Sequence, residues 1–249
     1  RDCLLSRGLG DVYKRQQLVD TKDWNVRLNA SYNTNHNKVL SIGNAVPFAI
    51  GGFSSRTVQT VVAEGEPVGF IRGYKAVLNP DNSLKEILPL QNLGSTLPTA
   101  YGNFSLSASY KNLSFMLSGD YQYGAYVHSF DRQFRFSKGL KDDAIPEKAL
   151  EGLDQGANWL NFTNFFVEKS DFLKIRNIGI AYDYKPKKYL KSVNLAFNVY
   201  NPFAFTASSV DPEAALAGAR SQGAVAVGGL NYSSYSTPRQ YVGTIRVSF

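Results

Sequence analysis

The feature that most restricts what this chain can fold into is a two-residue period, repeated in segments of about ten residues. It is clearest in the stretch Gln240-Tyr-Val-Gly-Thr-Ile-Arg-Val-Ser-Phe249. Successive side chains of a strand point to opposite faces. Tyr241, Gly243, Ile245, Val247 and Phe249 therefore share one face, and Val242, Thr244, Arg246 and Ser248 share the other. The first face is apolar up to a terminal aromatic residue; the second is mostly polar, with a charge in its middle. A soluble sandwich strand can carry this pattern. So can a transmembrane barrel strand, whose lipid-facing and lumen-facing residues alternate, with aromatics at the interfaces.

The same period recurs upstream. Trp24, Val26, Leu28, Ala30 and Tyr32 alternate with Asn25, Arg27, Asn29, Ser31 and Asn33. Gly102, Phe104, Leu106, Ala108 and Tyr110 form one run; Leu113, Phe115, Leu117, Gly119, Tyr121 and Tyr123 form the next. Only Lys111 and Asn112 separate them, which predicts a hairpin. From Asp171 to Tyr184 the parity slips: Leu173 and Ile175 oppose Ile178, Ile180, Tyr182 and Tyr184, which predicts a β-bulge near Arg176-Asn177. Val193, Leu195, Phe197 and Val199 give another strand. A β-branched run from Thr57 to Val62 predicts one more, its continuation toward Tyr74 broken by Gly65, Pro67, Gly69 and Gly73.

Seven strands result, with connections that run medium, long, two residues, long, short, long. Short turns alternating with long loops are the pattern of outer-membrane barrels. Seven strands with one lipid-facing side do not close, because single-chain bacterial barrels have even strand numbers from about eight upward. The expected fold is all-β: the C-terminal portion of a larger antiparallel transmembrane β-barrel.

Composition removes other classes. No run of about 18 apolar residues supplies a membrane-spanning helix, but barrel strands do not need one. The net charge is +7. Its basic residues are dispersed except for Lys185, Lys187, Lys188 and Lys191 in one turn, so nucleic-acid binding is not expected. Asp81-Asn82 reads as a turn, without the spaced carboxylates of a calcium loop. His128, Asp142, Asp143 and Glu147 fall in a polar, irregular stretch from Gly124 to Ser170, read as surface loop. No catalytic, metal or cofactor-binding set is expected, and the chain is not expected to be an enzyme. Residues 1–16, RDCLLSRGLGDVYKRQ, lack alternation, hold the single cysteine and have no secretory-signal pattern. They are similar to translated sequencing-adapter scars and are set apart from the barrel region, 17–249.

Several ordered segments resemble the C-terminal barrel of SusC/RagA-type TonB-dependent outer-membrane receptors. They are Glu64-Gly-Glu-Pro-Val-Gly69 with Gly73-Tyr-Lys75, Leu93 to Phe104 running into Ser109-Tyr-Lys111, and Asp171-Phe-Leu-Lys-Ile-Arg-Asn-Ile-Gly-Ile-Ala-Tyr182. A loop motif follows, Asn201, Phe203 and Thr206 with Asp211, Pro212 and Glu213, although Pro202 stands where the family has an apolar residue. The resemblance implies a barrel of about 22 strands filled by an N-terminal plug. It implies energised import of oligosaccharides or peptides at the cell outer membrane. The implied partners are outer-membrane lipid, the missing plug and strands of the same protein, the TonB complex through that missing region, and a SusD-like surface lipoprotein. It further implies that Tyr241, Gly243, Ile245, Val247 and Phe249 form the strand read during membrane assembly. Two other readings remain open at this point: a passive porin-like or structural barrel, and a secreted sandwich that binds glycan.

Overall fold

The computed structural model describes residues 11–52, 58–186, 190–211, 213, 229–231 and 235–249. Its strands are β1 (Asp11–Asp20), β2 (Trp24–Thr34), β3 (Phe48–Gly52), β4 (Gln59–Val62), β5 (Phe70–Leu78), β6 (Leu84–Ser95), β7 (Ala100–Tyr110) and β8 (Leu113–Tyr123). These are followed by β9 (Tyr126–Ser129), β10 (Val167–Lys169), β11 (Phe172–Tyr184), β12 (Ser192–Thr206), β13 (Leu230–Asn231) and β14 (Gln240–Ser248). Helix α1 (Phe130–Ser137), the short α2 (Gln155–Asn158) and two 3₁₀ segments, Glu147–Leu150 and Trp159–Phe166, lie between β9 and β10. The fold is all-β and antiparallel apart from one two-residue parallel pairing of β13 with β9.

Seven strands form the main sheet in the order β1-β2-β7-β8-β11-β12-β14, every neighbour antiparallel. The number matches the sequence expectation; the membership does not. β1 is in the sheet and the Thr57–Tyr74 stretch is not. Gln59–Val62 and Phe70–Leu78 belong instead to a separate sheet, β3-β4-β5-β6. Thr57 lies outside the described residues. The boundary after Gln16 is not a structural one either, since β1 crosses it and pairs with β2 from Asp11↔Asn33 to Asp20↔Asn25.

Register turns the parity of single strands into continuous rows. Leu28, Leu106, Leu117, Ile178, Val199 and Tyr241 are successive cross-strand partners. So are Trp24, Tyr110, Leu113, Tyr182, Leu195 and Ile245. The alternate rows hold Arg27, Ser107, Met116, Gly179 and Asn198, or Asn29, Ser105, Ser118 and Asn177. Side chains on the apolar face stay open: Trp24, Phe115, Leu195, Phe197 and Ile245 are all exposed. Gly119 is required on this face, because a Cβ there would come within 2.5 Å of the Phe104 ring. The rows break only at β1, where Lys14 pairs with Ala30 and Gln16 with Leu28.

The expected bulge is present. The register shifts between Ile175 and Asn177 against both β8 and β12. The extra residue keeps Leu173 and Ile175 on the same face as Ile178 and Ile180, and turns Lys174, Arg176 and Asn177 to the polar side.

The core sits elsewhere. The connections β1–β2 and β7–β8 are tight turns and β11–β12 spans only seven residues, whereas β2–β7, β8–β11 and β12–β14 are long excursions from the opposite end of the sheet. The excursions pack on one another as a cap. Phe136, Phe162 and Phe166 are fully buried with Ala76, Ile145 and Ala149, and Val58 and Ile71 are buried with Leu230. A small sheet, β10-β9-β13, joins two of the excursions. The Gly124–Ser170 stretch is therefore the cap's main core-forming segment and not surface loop. Its helical pieces are short, and only α1 and the Trp159–Phe166 segment bury aromatic rings, Phe136 in the first and Phe162 with Phe166 in the second, so there is no sustained period to read.

Candidate functional site

Five charged side chains meet where the polar face of the sheet runs under the cap. Lys174 Nζ donates to Asp211 Oδ1 and to Glu213 Oε2, each at 2.6 Å. Arg176 forks onto Asp120, with Nε to Oδ1 at 2.5 Å and Nη2 to Oδ2 at 2.8 Å, and also donates to Glu213. The Lys174 side chain is only 5% exposed, so its charge depends on these partners. Burial alone would raise the carboxyls of Asp211 and Glu213. Hydrogen bonds from Lys174 to Asp211, and from Arg176 and Lys174 to Glu213, outweigh it and hold both below their ordinary values.

This arrangement resolves the Asp-Pro-Glu motif. Asp211 Oδ1 accepts the Glu213 backbone N–H at 3.1 Å, the local turn bond expected of Asp beside Pro. The same oxygen also accepts from Lys174, so the motif clasps the post-β12 segment onto the bulge of β11. Pro212 lies outside the described residues. Asn201, Phe203 and Thr206 are not loop residues; β12 continues through them. Asn201 has a φ of 51°, and the β12 register skips Asn201 and Pro202 opposite the bulge. Arg239 Nη2 donates to Pro202 O at 2.6 Å, which seats the start of β14 in this irregularity. Asn201, Phe203, Thr206 and Asp211 line one cavity of about 180 Å³ with Lys174 and Arg176.

On the other side of the clasp a larger cavity of about 530 Å³ opens on the polar face. Asn33, Asn35, Tyr101, Asn103, Asp120, Gln122, Tyr126, Phe172 and Glu213 line it, a mixture of amides, aromatic rings and carboxylate edges. Gln122 Nε2 is held by Ser170 at 3.2 Å, which fixes part of the wall. The lining offers hydrogen-bond donors, acceptors and stacking surfaces together, suited to a polar, uncharged chain.

Two polar networks, one half-buried and one fully buried, tie the cap together. Arg132 is bonded to Asp142 through Nε at 2.9 Å and also to Glu168, whose carboxylate accepts the Ser209 hydroxyl at 2.8 Å. Burial raises Asp142, but the Arg132 hydrogen bond and charge prevail and lower it. His128 is fully buried, its Nε2 lying 2.5 Å from Gln133 Oε1, and Gln133 Nε2 donates to Thr163 at 2.9 Å. Burial pushes the imidazole down to about 4, against a smaller opposing effect of the Gln133 hydrogen bond. Sequence reading missed this ladder, because no spacing signals a polar pair that joins a strand to a helix. The Asp81 turn is as expected: its carboxylate accepts the Ser83 backbone N–H at 3.1 Å and the Ser83 hydroxyl at 2.6 Å. No group of three or more metal-ligating side chains occurs among the described residues.

The assembly strand expected from sequence is β14. Tyr241, Gly243, Ile245 and Val247 pair with Val199, Phe197, Leu195 and Val193. Phe249 lies just past the strand at the tight-turn end, 80% exposed.

No protein-family model matches the chain, and no curated protein matches it. Solved structures do. The RagAB peptide transporter matches with a TM-score of 0.66 at 20% identity, over 96% of this chain and 29% of the matched chain. The RagAB peptide importer in its open-open state gives 0.67 at 19%, over 96% and 28%. The closed-closed state gives 0.65 at 19%, over 94% and 28%. The fold is that of a partial β-barrel. This chain spans less than a third of the length of the RagAB chains it matches. At this identity the likeness to the RagAB structures establishes the fold and leaves the activity to be argued from the site.

Proposed function

We propose that the chain is barrel wall and outer mouth of a SusC/RagA-type TonB-dependent importer in the cell outer membrane. One observation carries the reading: a continuous, exposed apolar face runs across β2 to β14, while every long excursion gathers at one end. A face of that kind is stable only against lipid or another apolar body. The opposite face is polar and holds the two cavities at the clasp, as a transport lumen requires. The RagAB structures are of a peptide transporter; by extension the cargo here is a peptide or an oligosaccharide, met at the cavity lined by Asn33, Asn103 and Tyr126. The remaining wall and plug belong to the rest of the same protein, TonB acts through that part, and a SusD-like surface lipoprotein covers the cap. No cofactor or enzymatic step enters the scheme. We further propose that residues 1–16 are foreign to the wall, since Lys14 and Gln16 would stand in its apolar rows.

The experiment uses the complete protein that contains this chain, expressed in a cell with and without a working TonB system. Labelled peptide and oligosaccharide should enter only when TonB is energised, and the protein should fractionate with outer membranes. Uptake indifferent to TonB would move the assignment to a passive porin-like barrel. A folded protein soluble without detergent would remove the membrane altogether.

A further inference from the structure

The tight-turn rim of the sheet carries a chemistry that transport does not use. Lys22 sits in the β1–β2 turn, Lys111 in the β7–β8 turn, and Lys185 and Lys191 in the β11–β12 connection. Lys187 and Lys188 of that connection lie outside the described residues. All four described lysines are exposed, and none forms an ion pair among the described residues. At the other end Lys141, Lys148 and Lys174 are each paired with a carboxylate. Only Asp20 and Asp23 lie near the rim lysines in the same turns; Asp183 accepts from Asn194 on the polar face.

The turns are fixed side by side. Lys111 N donates to Asp23 O, Asp183 N to Asn112 O, and Lys191 N to Ser248 O, each at 2.9 Å. The lysines therefore follow one edge. The next rows on the apolar face hold Trp24, Tyr110, Tyr182 and Tyr184, all exposed. The rings of Trp24 and Tyr110 lie 4.6 Å apart, and Lys111 Nζ stands 5.1 Å from the Tyr110 ring. An aromatic belt marks where an apolar band gives way to headgroups, and long cationic side chains just beyond it reach the phosphate level.

We propose that this rim binds anionic phospholipid headgroups in the leaflet that faces the tight turns. The proposal rests on the membrane reading above. Lysines that form no ion pair among the described residues, held on a fixed edge directly beyond an aromatic belt, supply charge complementarity to a phosphate surface, and a zwitterionic headgroup offers them no net attraction.

The complete protein, reconstituted in bilayers of phosphatidylethanolamine with phosphatidylglycerol and re-extracted gently, is assayed for bound lipid by mass spectrometry. The unaltered protein should retain phosphatidylglycerol above its bulk fraction. Joint replacement Lys22→Gln, Lys111→Gln, Lys185→Gln and Lys191→Gln should lower that preference by about tenfold or more. The same charge removed from the cap, by Lys38→Gln, Lys75→Gln, Lys85→Gln and Lys169→Gln, should leave it unchanged, and arginine at the four rim positions should preserve it. Retained preference in the rim glutamine variant, or equal loss in both glutamine variants, overturns the proposal. So does loss in the arginine variant. A protein that enters bilayers but shows no preference removes the rim site alone. A protein that enters no bilayer removes the membrane reading, and the rim site falls with it.

Discussion

The sheet and the cap solve the same problem of apolar side chains in opposite ways. Among the described residues, every fully or nearly fully buried hydrophobic side chain lies in the cap, from Val58 and Ile71 to Phe136, Phe162, Phe166 and Leu230. The main sheet has none, yet it carries Trp24, Phe115, Ile180, Leu195, Phe197, Tyr241 and Ile245 in the open. The cap buries its apolar side chains against one another. The sheet is a wall whose burial has to come from outside the chain. The two halves therefore fail under different insults, and each can be perturbed without the other.

The largest effect is expected in the cap. Phe162→Ala removes a ring that contacts Phe136 at a 5.7 Å centroid distance, and should cost about 3–5 kcal/mol. Hydrogen exchange on the complete protein should show amides of 126–166 losing protection while those of β2, β7 and β8 keep theirs. Equal loss in both regions would mean that cap and wall unfold as one unit, and the contrast drawn above would be wrong.

Next is the clasp that joins the halves. Lys174→Met leaves the nearly buried Asp211 without its cation while Glu213 keeps Arg176, and removing one partner of a buried pair typically costs about 3–5 kcal/mol. Its consequence should be faster proteolysis near residue 211, with the wall still assembled. Lys141→Ala breaks an exposed pair with Glu147 and should change nothing measurable. Similar outcomes for the two lysines would remove the special standing of the clasp.

Acid should separate the regions a third way. The folded pKa of His128 is depressed to about 4 from an ordinary value of 6.5, so between these pH values the unfolded cap binds more protons than the folded one. The stability is fully present above about 6.5 and is lost as pH falls toward 4, on the order of 3 kcal/mol in all. Asp211 and Glu213 are held below their ordinary values, so the stability they contribute is lost as acid protonates them, and the clasp weakens in turn. Cap protection measured across pH 7 to 4.5 should fall in the native protein and stay flatter in His128→Gln. Identical slopes would show that this imidazole does not control the cap.

Apart from β1, whose Lys14 and Gln16 break the alternation, the wall was legible in sequence because its physics is periodic. Each strand writes its two faces into alternate residues, and even the bulge at Arg176 appeared as a slip between Ile175 and Ile178. β6 was not legible: Pro89, a positive φ at Leu90 and three register shifts against β5 erase its period. The cap was not legible either, since its core is assembled from helical pieces of four to eight residues and tertiary contact decides which ring turns inward. The clasp lay in between. Both of its halves, the Asp171–Tyr182 stretch and Asp211 with Glu213, stood out as motifs, but nothing in their spacing said that they meet.

The central claim is that the two faces of one strand look onto lipid and onto a polar lumen. Leu117 and Ser118 are adjacent in β8 and fall in an apolar row and a polar row. In bilayer refolding of the complete protein, Leu117→Lys should cost about 2–4 kcal/mol, while Ser118→Lys should cost no more than about 1 kcal/mol. Equal costs at the two positions, or a larger cost at Ser118, would contradict the account.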